Sequence, residues 1–101
     1  MMSARKVLTG AEIFDGSTLY TDHALVIEDG YVAAIYPREM APEGERVSLS
    51  GGVIAPALID LQVNGGGGVM LGAGDADSEI RTICETHRAL GAGGLLPTLI
   101  T

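Results

Sequence analysis

The fold of this chain is decided by residues 54–65, which read Ile54-Ala55-Pro56-Ala57-Leu58-Ile59-Asp60-Leu61-Gln62-Val63-Asn64-Gly65. From residue 58 onwards apolar and polar residues alternate, which is the period of a β-strand. One face of the strand would carry Ile59, Leu61 and Val63, and the other would carry Asp60, Gln62 and Asn64. The sequence therefore predicts a buried strand over Leu58–Val63 with polar side chains along one side.

The residues that follow predict a β-α-β unit. A glycine-rich loop begins at Gly65, and the spacing of apolar residues predicts a helix over residues 76–90. Asp75 suits the N-cap of this helix, and Gly91 suits its C′ position. The predicted buried stripe of the helix consists of Ile80, Ile83, Cys84, His87 and Leu90. A second buried strand is predicted over residues 95–100, parallel to the first through a right-handed crossover.

The first half of the chain predicts a small, mostly antiparallel β-sheet. Its clearest feature is Asp29-Gly30, a dipeptide of two-residue type I′ turns, which separates two apolar runs. A second turn is predicted at Asp15-Gly16-Ser17. We therefore expect an α/β chain of two parts, with an N-terminal β domain over residues 1–52 and a second domain over residues 53–101.

The composition excludes several classes of protein. The 101 residues carry a net charge of −7, which leaves no basic surface for nucleic acid or an anionic membrane. No apolar run reaches the ~20 residues of a membrane helix or has the position of a signal-peptide core. Cys84 is the only cysteine, which favours a reducing compartment. We expect a cytoplasmic protein with no nucleic-acid or membrane partner.

Residues 54–65 resemble the first barrel strand of the amidohydrolase superfamily, where a Pro-Gly-apolar-Ile-Asp-x-His-x-His run ends a small β-sandwich and begins a (β/α)8 barrel. The chain is similar to the N-acetylglucosamine-6-phosphate deacetylase family, in which Gln and Asn replace the two histidines, as Gln62 and Asn64 do here. The run Leu-Pro-Thr-Leu-Ile-Thr at residues 96–101 is a further similarity, whereas Ala57 stands where the family has glycine. The resemblance implies part of a small β-sandwich followed by the first β-α-β of a TIM-like barrel.

The resemblance also implies an activity and a cofactor. It implies metal-assisted hydrolysis of N-acetylglucosamine 6-phosphate, a phosphorylated amino sugar, by a homodimer with one divalent metal ion, zinc or similar. The metal ligands and the catalytic aspartate would come from strands beyond Thr101, so no catalytic or metal-binding residue is assigned in this segment. Because amides are weak zinc ligands, we expect Gln62, Asn64 and Gly65 to line the pocket or to hydrogen-bond near the metal, its water or the substrate.

Several candidate residues also have simpler interpretations. Without the resemblance, Gln62 and Asn64 would be exposed amides of an ordinary strand. We interpret His87 as a hydrogen-bonded histidine at the edge of a core, and His23 as a surface residue. We interpret Cys84 as a small core residue rather than a nucleophile.

The acidic residues and the glycines are interpreted in the same way. Asp60 shares the face of Gln62 and is expected to have a structural role. Asp75, Asp77 and Glu79 favour the start of a helix, where negative charge is stabilising. The glycines at residues 65–68 lack the spacing of a phosphate-binding motif, which leaves a flexible loop at the rim of a pocket.

Two alternatives to the deacetylase remain open. One is another amidohydrolase-superfamily enzyme, such as a dihydroorotase or an allantoinase, although the members with two metals use the His-x-His pair that this chain lacks. The other is a truncated, non-catalytic chain that folds only with a partner. It arises because the sequence ends directly after the second predicted strand, and parallel strands are normally covered on both faces. We expect the segment alone to be inactive and to be the N-terminal part of something larger, or to pair with another chain.

Overall fold

The computed structural model describes residues 4–72 and 74–100, and it is mostly β with one α-helix in that part of the chain. Backbone contacts divide the chain into two compact units, with the boundary between Pro56 and Ala57. The boundary predicted after Gly52 falls earlier, in front of a short strand, Val53–Ile54, that pairs within the first unit. Thr101, the last residue of the Leu-Pro-Thr-Leu-Ile-Thr run, lies outside the described residues.

The first unit contains two small sheets. Its strands in chain order are β1 (Arg5–Thr9), β2 (Glu12–Phe14), β3 (Leu19–Tyr20), β4 (His23–Glu28), β5 (Tyr31–Pro37), β6 (Glu45–Ser48) and β7 (Val53–Ile54). One sheet has the order β5-β4-β1-β6 and the other the order β3-β2-β7. A short 3-10 helix, Arg38–Met40, follows β5. The buried core contains Val7, Ala24 and Val26, with Ala41 packed against them.

The hairpin predicted around Asp29-Gly30 is confirmed. Strands β4 and β5 pair antiparallel, and Glu28 lies opposite Tyr31. The two residues between them have positive φ, 51° at Asp29 and 84° at Gly30, as a type I′ turn requires. Pro37 ends β5, as expected for a residue that cannot donate to a strand ladder.

Parallel pairing in the first unit is more extensive than predicted. β6 runs parallel to β1, and β7 runs parallel to β2. Between these pairs the backbone hydrogen bonds continue, because Leu49 N–H donates to the Thr9 carbonyl and Gly51 N–H donates to the Gly10 carbonyl, both at 2.8 Å. Residues 45–54 therefore follow residues 6–13 along both sheets. Antiparallel pairing still predominates, as predicted, but the one sheet expected is two mixed sheets.

The second unit is a β-α-β unit with the predicted parallel pairing. It consists of β8 (Leu58–Val63), α1 (Ala76–Ala89) and β9 (Ala92–Pro97). The bounds of β8 are those predicted, whereas β9 begins three residues earlier than residue 95. Gly91, with φ 105°, occupies the predicted position after the helix. No helix in the described part of the chain is long and apolar enough to cross a membrane.

The burial of the second unit differs from the prediction. β8 is exposed along most of its length, with Leu58, Ile59 and Leu61 each more than two thirds accessible, and only Val63 is buried. The reason is that β8 has one neighbouring strand, β9, within the described residues. On α1, Ile83 is fully buried, whereas Ile80 and Leu90 of the predicted stripe are exposed.

Candidate functional site

The two amide residues of the sequence motif lie at the carboxyl end of β8. Gln62 is the penultimate residue of the strand, Asn64 follows its end, and both are exposed. Asp60, on the same strand face, accepts a hydrogen bond at Oδ1 from the Gln62 backbone N–H at 3.1 Å. This contact supports the structural role expected for Asp60, because it restrains the backbone two residues ahead. The strand thus presents two uncharged, exposed amides at its carboxyl end.

The glycines after Asn64 form a tight turn, here called the glycine turn (residues 65–70). Gly66 and Val69 exchange two backbone hydrogen bonds, of 2.9 and 3.0 Å. Between them Gly67 and Gly68 have φ of 61° and 79°, values that residues with a side chain adopt only with strain. Asn64 and the glycine turn line a shallow depression of about 460 Å³. Gly65, predicted at the pocket, is therefore part of the wall of a depression.

The glycine turn is held against helix α1 rather than being a free loop. The Nε2 atom of His87 lies 2.9 Å from the Gly65 carbonyl oxygen. A Cβ on Gly66 would lie 3.0 Å from the same Nε2 atom, and a Cβ on Gly67 would lie 2.7 Å from Thr86 Oγ1. The consecutive glycines thus permit a close approach of the turn backbone to the helix, which corrects the expectation of a flexible loop.

His87 is half-buried and hydrogen-bonded, which confirms its interpretation as a histidine at the edge of a core. Its partner, however, was not identified from the sequence. Hydrophobic spacing places His87 on the inner side of α1 but carries no information about the Gly65 carbonyl, 22 residues earlier. The contact depends on the packing of the glycine turn against α1.

Glu79 was also missed as an internal group. Its side chain is only 7% exposed, and Oε1 accepts a hydrogen bond of 3.0 Å from the Gly72 backbone N–H. Asp75 stands at the N-cap as predicted but makes no capping hydrogen bond through its side chain. The acidic residues at the start of α1 are therefore not equivalent, because Glu79 connects the helix to the segment after the glycine turn.

The remaining candidates show no reactive arrangement. His23 is half-buried in the first unit rather than fully exposed, and its Nδ1 lies 2.6 Å from the Thr21 carbonyl oxygen. Its ring centroid is 5.0 Å from that of Tyr20. Cys84 is a free, half-buried cysteine on α1. Among residues 4–72 and 74–100 no group of three or more His, Cys, Asp or Glu residues lies close enough to hold a metal ion.

Comparisons with known proteins point to one group of enzymes. A family profile described as the NagA composite domain matches residues 7–54. An N-acetylglucosamine-6-phosphate deacetylase of Haemophilus influenzae is 30% identical over 95 residues, which are 93% of this chain and 25% of that protein. The crystal structure of N-acetylglucosamine-6-phosphate deacetylase from Pasteurella multocida superimposes with a TM-score of 0.79 at 31% identity, over 96% of this chain and 26% of that chain.

Along nearly its whole length, the chain is similar to N-acetylglucosamine- and N-acetylgalactosamine-6-phosphate deacetylases. A further relative is an N-acetylgalactosamine-6-phosphate deacetylase of Shewanella sp., 29% identical over 98 residues, or 94% of this chain and 25% of that protein. The chain thus spans about a quarter of the length of these relatives. These comparisons confirm the resemblance inferred from residues 54–65.

Ala57 stands where the deacetylases that this chain resembles have glycine. The structure shows how the added methyl group is accommodated, because a Cβ on Gly93 would lie 2.5 Å from the Ala57 Cβ. Gly93 belongs to β9, and its lack of a side chain leaves the space that Ala57 fills. The Ala57 methyl group thus lies against Gly93, next to the point where the β8–β9 register shifts between Leu58 and Ile59.

Proposed function

We propose that the polypeptide carrying this segment is an N-acetylglucosamine-6-phosphate deacetylase. It hydrolyses the acetamide of N-acetylglucosamine 6-phosphate to glucosamine 6-phosphate and acetate. The observation that carries the proposal is that similarity to the deacetylases extends over 93% of the chain, beyond the composite domain and through β8. The segment corresponds to 25% of the Haemophilus influenzae relative, so the proposed activity is that of the whole polypeptide.

In this proposal the second unit is the first β-α-β of a (β/α)8 barrel, and the first unit is part of a β-sandwich. Active sites of such barrels form at the carboxyl ends of the strands. Gln62 and Asn64 lie at that end of β8, and each amide offers both a donor and an acceptor. We therefore assign them to the substrate pocket, where they would orient a hydroxyl group or the acetamide.

The proposed enzyme uses one divalent metal ion, zinc or a similar metal. The described residues supply no ligand set for it, since no suitable cluster exists among them and the two amides are neutral. The ligands would have to come from the remainder of the polypeptide. We also propose that the enzyme is a homodimer, on the basis of its similarity to the deacetylases. The single cysteine supports a cytoplasmic location.

The proposal is tested by measuring acetate release from the intact polypeptide. The substrate is N-acetylglucosamine 6-phosphate, with unphosphorylated N-acetylglucosamine as the control. We expect acetate from the phosphorylated sugar, little from the control, and loss of activity after dialysis against a chelator. Absence of acetate release in the presence of added zinc, manganese or iron would contradict the proposal. Hydrolysis of dihydroorotate or allantoin instead would favour another amidohydrolase.

N-acetylgalactosamine 6-phosphate is the second candidate substrate. Two of the relatives are N-acetylgalactosamine-6-phosphate deacetylases, 29% and 33% identical to this chain. The two sugars differ only in the configuration at C4, so the same assay with both substrates decides between them through the ratio of the kcat/KM values. A higher kcat/KM for the glucosamine derivative supports the proposal, and a higher value for the galactosamine derivative favours the second candidate.

A further inference from the structure

We propose that His87 is a positioning residue for the depression lined by Asn64 and the glycine turn. It holds the glycine turn through the Gly65 carbonyl and thereby fixes Asn64 at the rim. The proposal that this affects substrate binding rests on the proposed function, whereas the proposal that His87 orders the turn does not.

The first argument is the direction of the hydrogen bond. A carbonyl oxygen only accepts, so the His87 Nε2 atom at 2.9 Å must carry the proton. The neutral Nε2–H tautomer and the imidazolium both satisfy this requirement, whereas the neutral Nδ1–H tautomer does not. The geometry thus assigns a protonation site on the ring.

The second argument is what the contact restrains. Peptide planarity couples the orientation of the Gly65 carbonyl to the Gly66 N–H, and that N–H donates to the Val69 carbonyl at 2.9 Å. The hydrogen bond from His87 therefore restrains the first peptide of the turn. A run of four glycines has more backbone freedom to lose than any other sequence of that length, so each fixed contact matters for its order.

The third argument is packing. A Cβ on Gly66 would lie 3.0 Å from Nε2 and 3.2 Å from Cδ2 of His87, so the ring edge lies directly against the turn backbone. Two properties of His87 can then be separated, namely the N–H donor and the ring volume. His87→Gln keeps an N–H donor the same number of bonds from Cα and loses the ring, whereas His87→Phe keeps a ring and loses the donor.

The test uses the intact polypeptide and its variants, with Arg88→Gln, an exposed position on the same helix, as the control. We expect the amides of residues 66–69 to exchange hydrogen roughly fivefold faster in His87→Phe, the factor for one ordinary hydrogen bond. The same variant should raise the KM for N-acetylglucosamine 6-phosphate by a similar factor with little change in kcat, because only the ordered turn is competent to bind. His87→Gln should restore both values toward those of the unsubstituted protein.

Equal exchange in His87→Phe and in the unsubstituted protein would overturn the proposal, as would faster exchange with an unchanged KM. If the unsubstituted protein releases no acetate, the proposed function fails, while hydrogen exchange still decides whether His87 orders the turn. If His87→Phe does not fold, ¹⁵N NMR of histidine-labelled unsubstituted protein gives the tautomer directly. A neutral ring protonated at Nδ1 would overturn the proposal.

Discussion

Ala57 and Gly93 form a pair in which only one residue can carry a side chain, because a Cβ on Gly93 would lie 2.5 Å from the Ala57 Cβ. Real Cβ atoms do not approach so closely, so a second methyl group would force β8 and β9 apart. The neighbouring glycine provides a contrast, since a Cβ on Gly94 would meet its nearest atom, Ile59 Cγ1, at an ordinary 3.7 Å.

Gly93→Ala is therefore expected to lower the free energy of unfolding of the second unit by about 1–3 kcal/mol, the usual range for overpacking. Gly94→Ala is the matched control and should have a smaller effect. Adding Ala57→Gly to Gly93→Ala should recover most of the loss. Thermal unfolding of the intact polypeptide measures the stability of the unsubstituted protein and of the three variants. Equal destabilisation by Gly93→Ala and Gly94→Ala would contradict the steric argument.

Gln62→Ala and Asn64→Ala are expected to reduce activity without reducing stability. Both residues are exposed, so the free energy of unfolding should change by less than about 0.5 kcal/mol. Loss of one hydrogen bond to substrate should reduce kcat/KM by roughly tenfold in each variant. Steady-state kinetics beside thermal unfolding separates the two effects, with Glu85→Gln, an exposed position on α1, as control. Full activity in both variants would remove these amides from the pocket.

Glu79→Ala is expected to destabilise the start of α1 by about 1–2 kcal/mol, because the Gly72 N–H loses its acceptor. Glu79→Gln keeps a carbonyl oxygen in the same place and should lose less. Asp77→Ala removes an exposed carboxylate from the same helical turn and serves as control. Hydrogen exchange of the Gly72 amide reports the contact itself, and unchanged exchange in Glu79→Ala would show that the contact does not form in solution.

Asp15 is expected to make the stability of the first unit depend on pH. Backbone hydrogen bonds from Thr18 and then Ser17, at 2.7 and 2.8 Å, lower the pKa of Asp15 below its ordinary value of 3.8. A lowered folded-state pKa stabilises the native chain above the unfolded pKa, and this stabilisation is lost as the pH falls through the folded value. The Asp15→Asn variant has no carboxyl group at this position, so this contribution to the pH dependence should be absent.

Urea unfolding at about pH 6 and at about pH 2 measures this difference. The unsubstituted protein should lose more stability between the two than Asp15→Asn does. Glu39→Gln, an exposed residue without a hydrogen bond of this kind among the described contacts, should follow the unsubstituted protein. Parallel curves for Asp15→Asn and the unsubstituted protein would show that the turn does not depend on the charge.

The elements predicted correctly are those whose signals are local. Asp29-Gly30 specifies its turn through the backbone conformations these two residues tolerate, and β4 and β5 follow from it. The alternation over Leu58–Val63 predicted the bounds of β8, and it also placed Gln62 and Asn64 at its end. Their role in binding stays a prediction, since the position of an amide does not reveal its ligand.

The features that were missed depend on contacts between distant residues. The apolar stripe predicted Ile80 and Leu90 as buried, yet Glu79 is buried instead, because Gly72 gives its carboxylate a donor. An analysis of hydrophobic spacing treats every carboxylate as exposed, so it does not predict that Glu79 accepts a hydrogen bond from Gly72. The parallel pairs β1–β6 and β2–β7 were missed for a related reason, since nothing in two short strands specifies a partner some 40 residues away.

The pairing of β1 and β2 also determines when the first unit can be completed during translation. Each of these early strands lies in the middle of its sheet, and its parallel neighbour is β6 or β7. On the ribosome, β1 keeps one open hydrogen-bonding edge until Ser48 has emerged, and β2 until Ile54 has. Open edges pair readily with other chains. The nascent first unit can therefore pair with other chains through these edges until residues 45–54 have emerged, and a pause in synthesis over that interval would prolong the exposure.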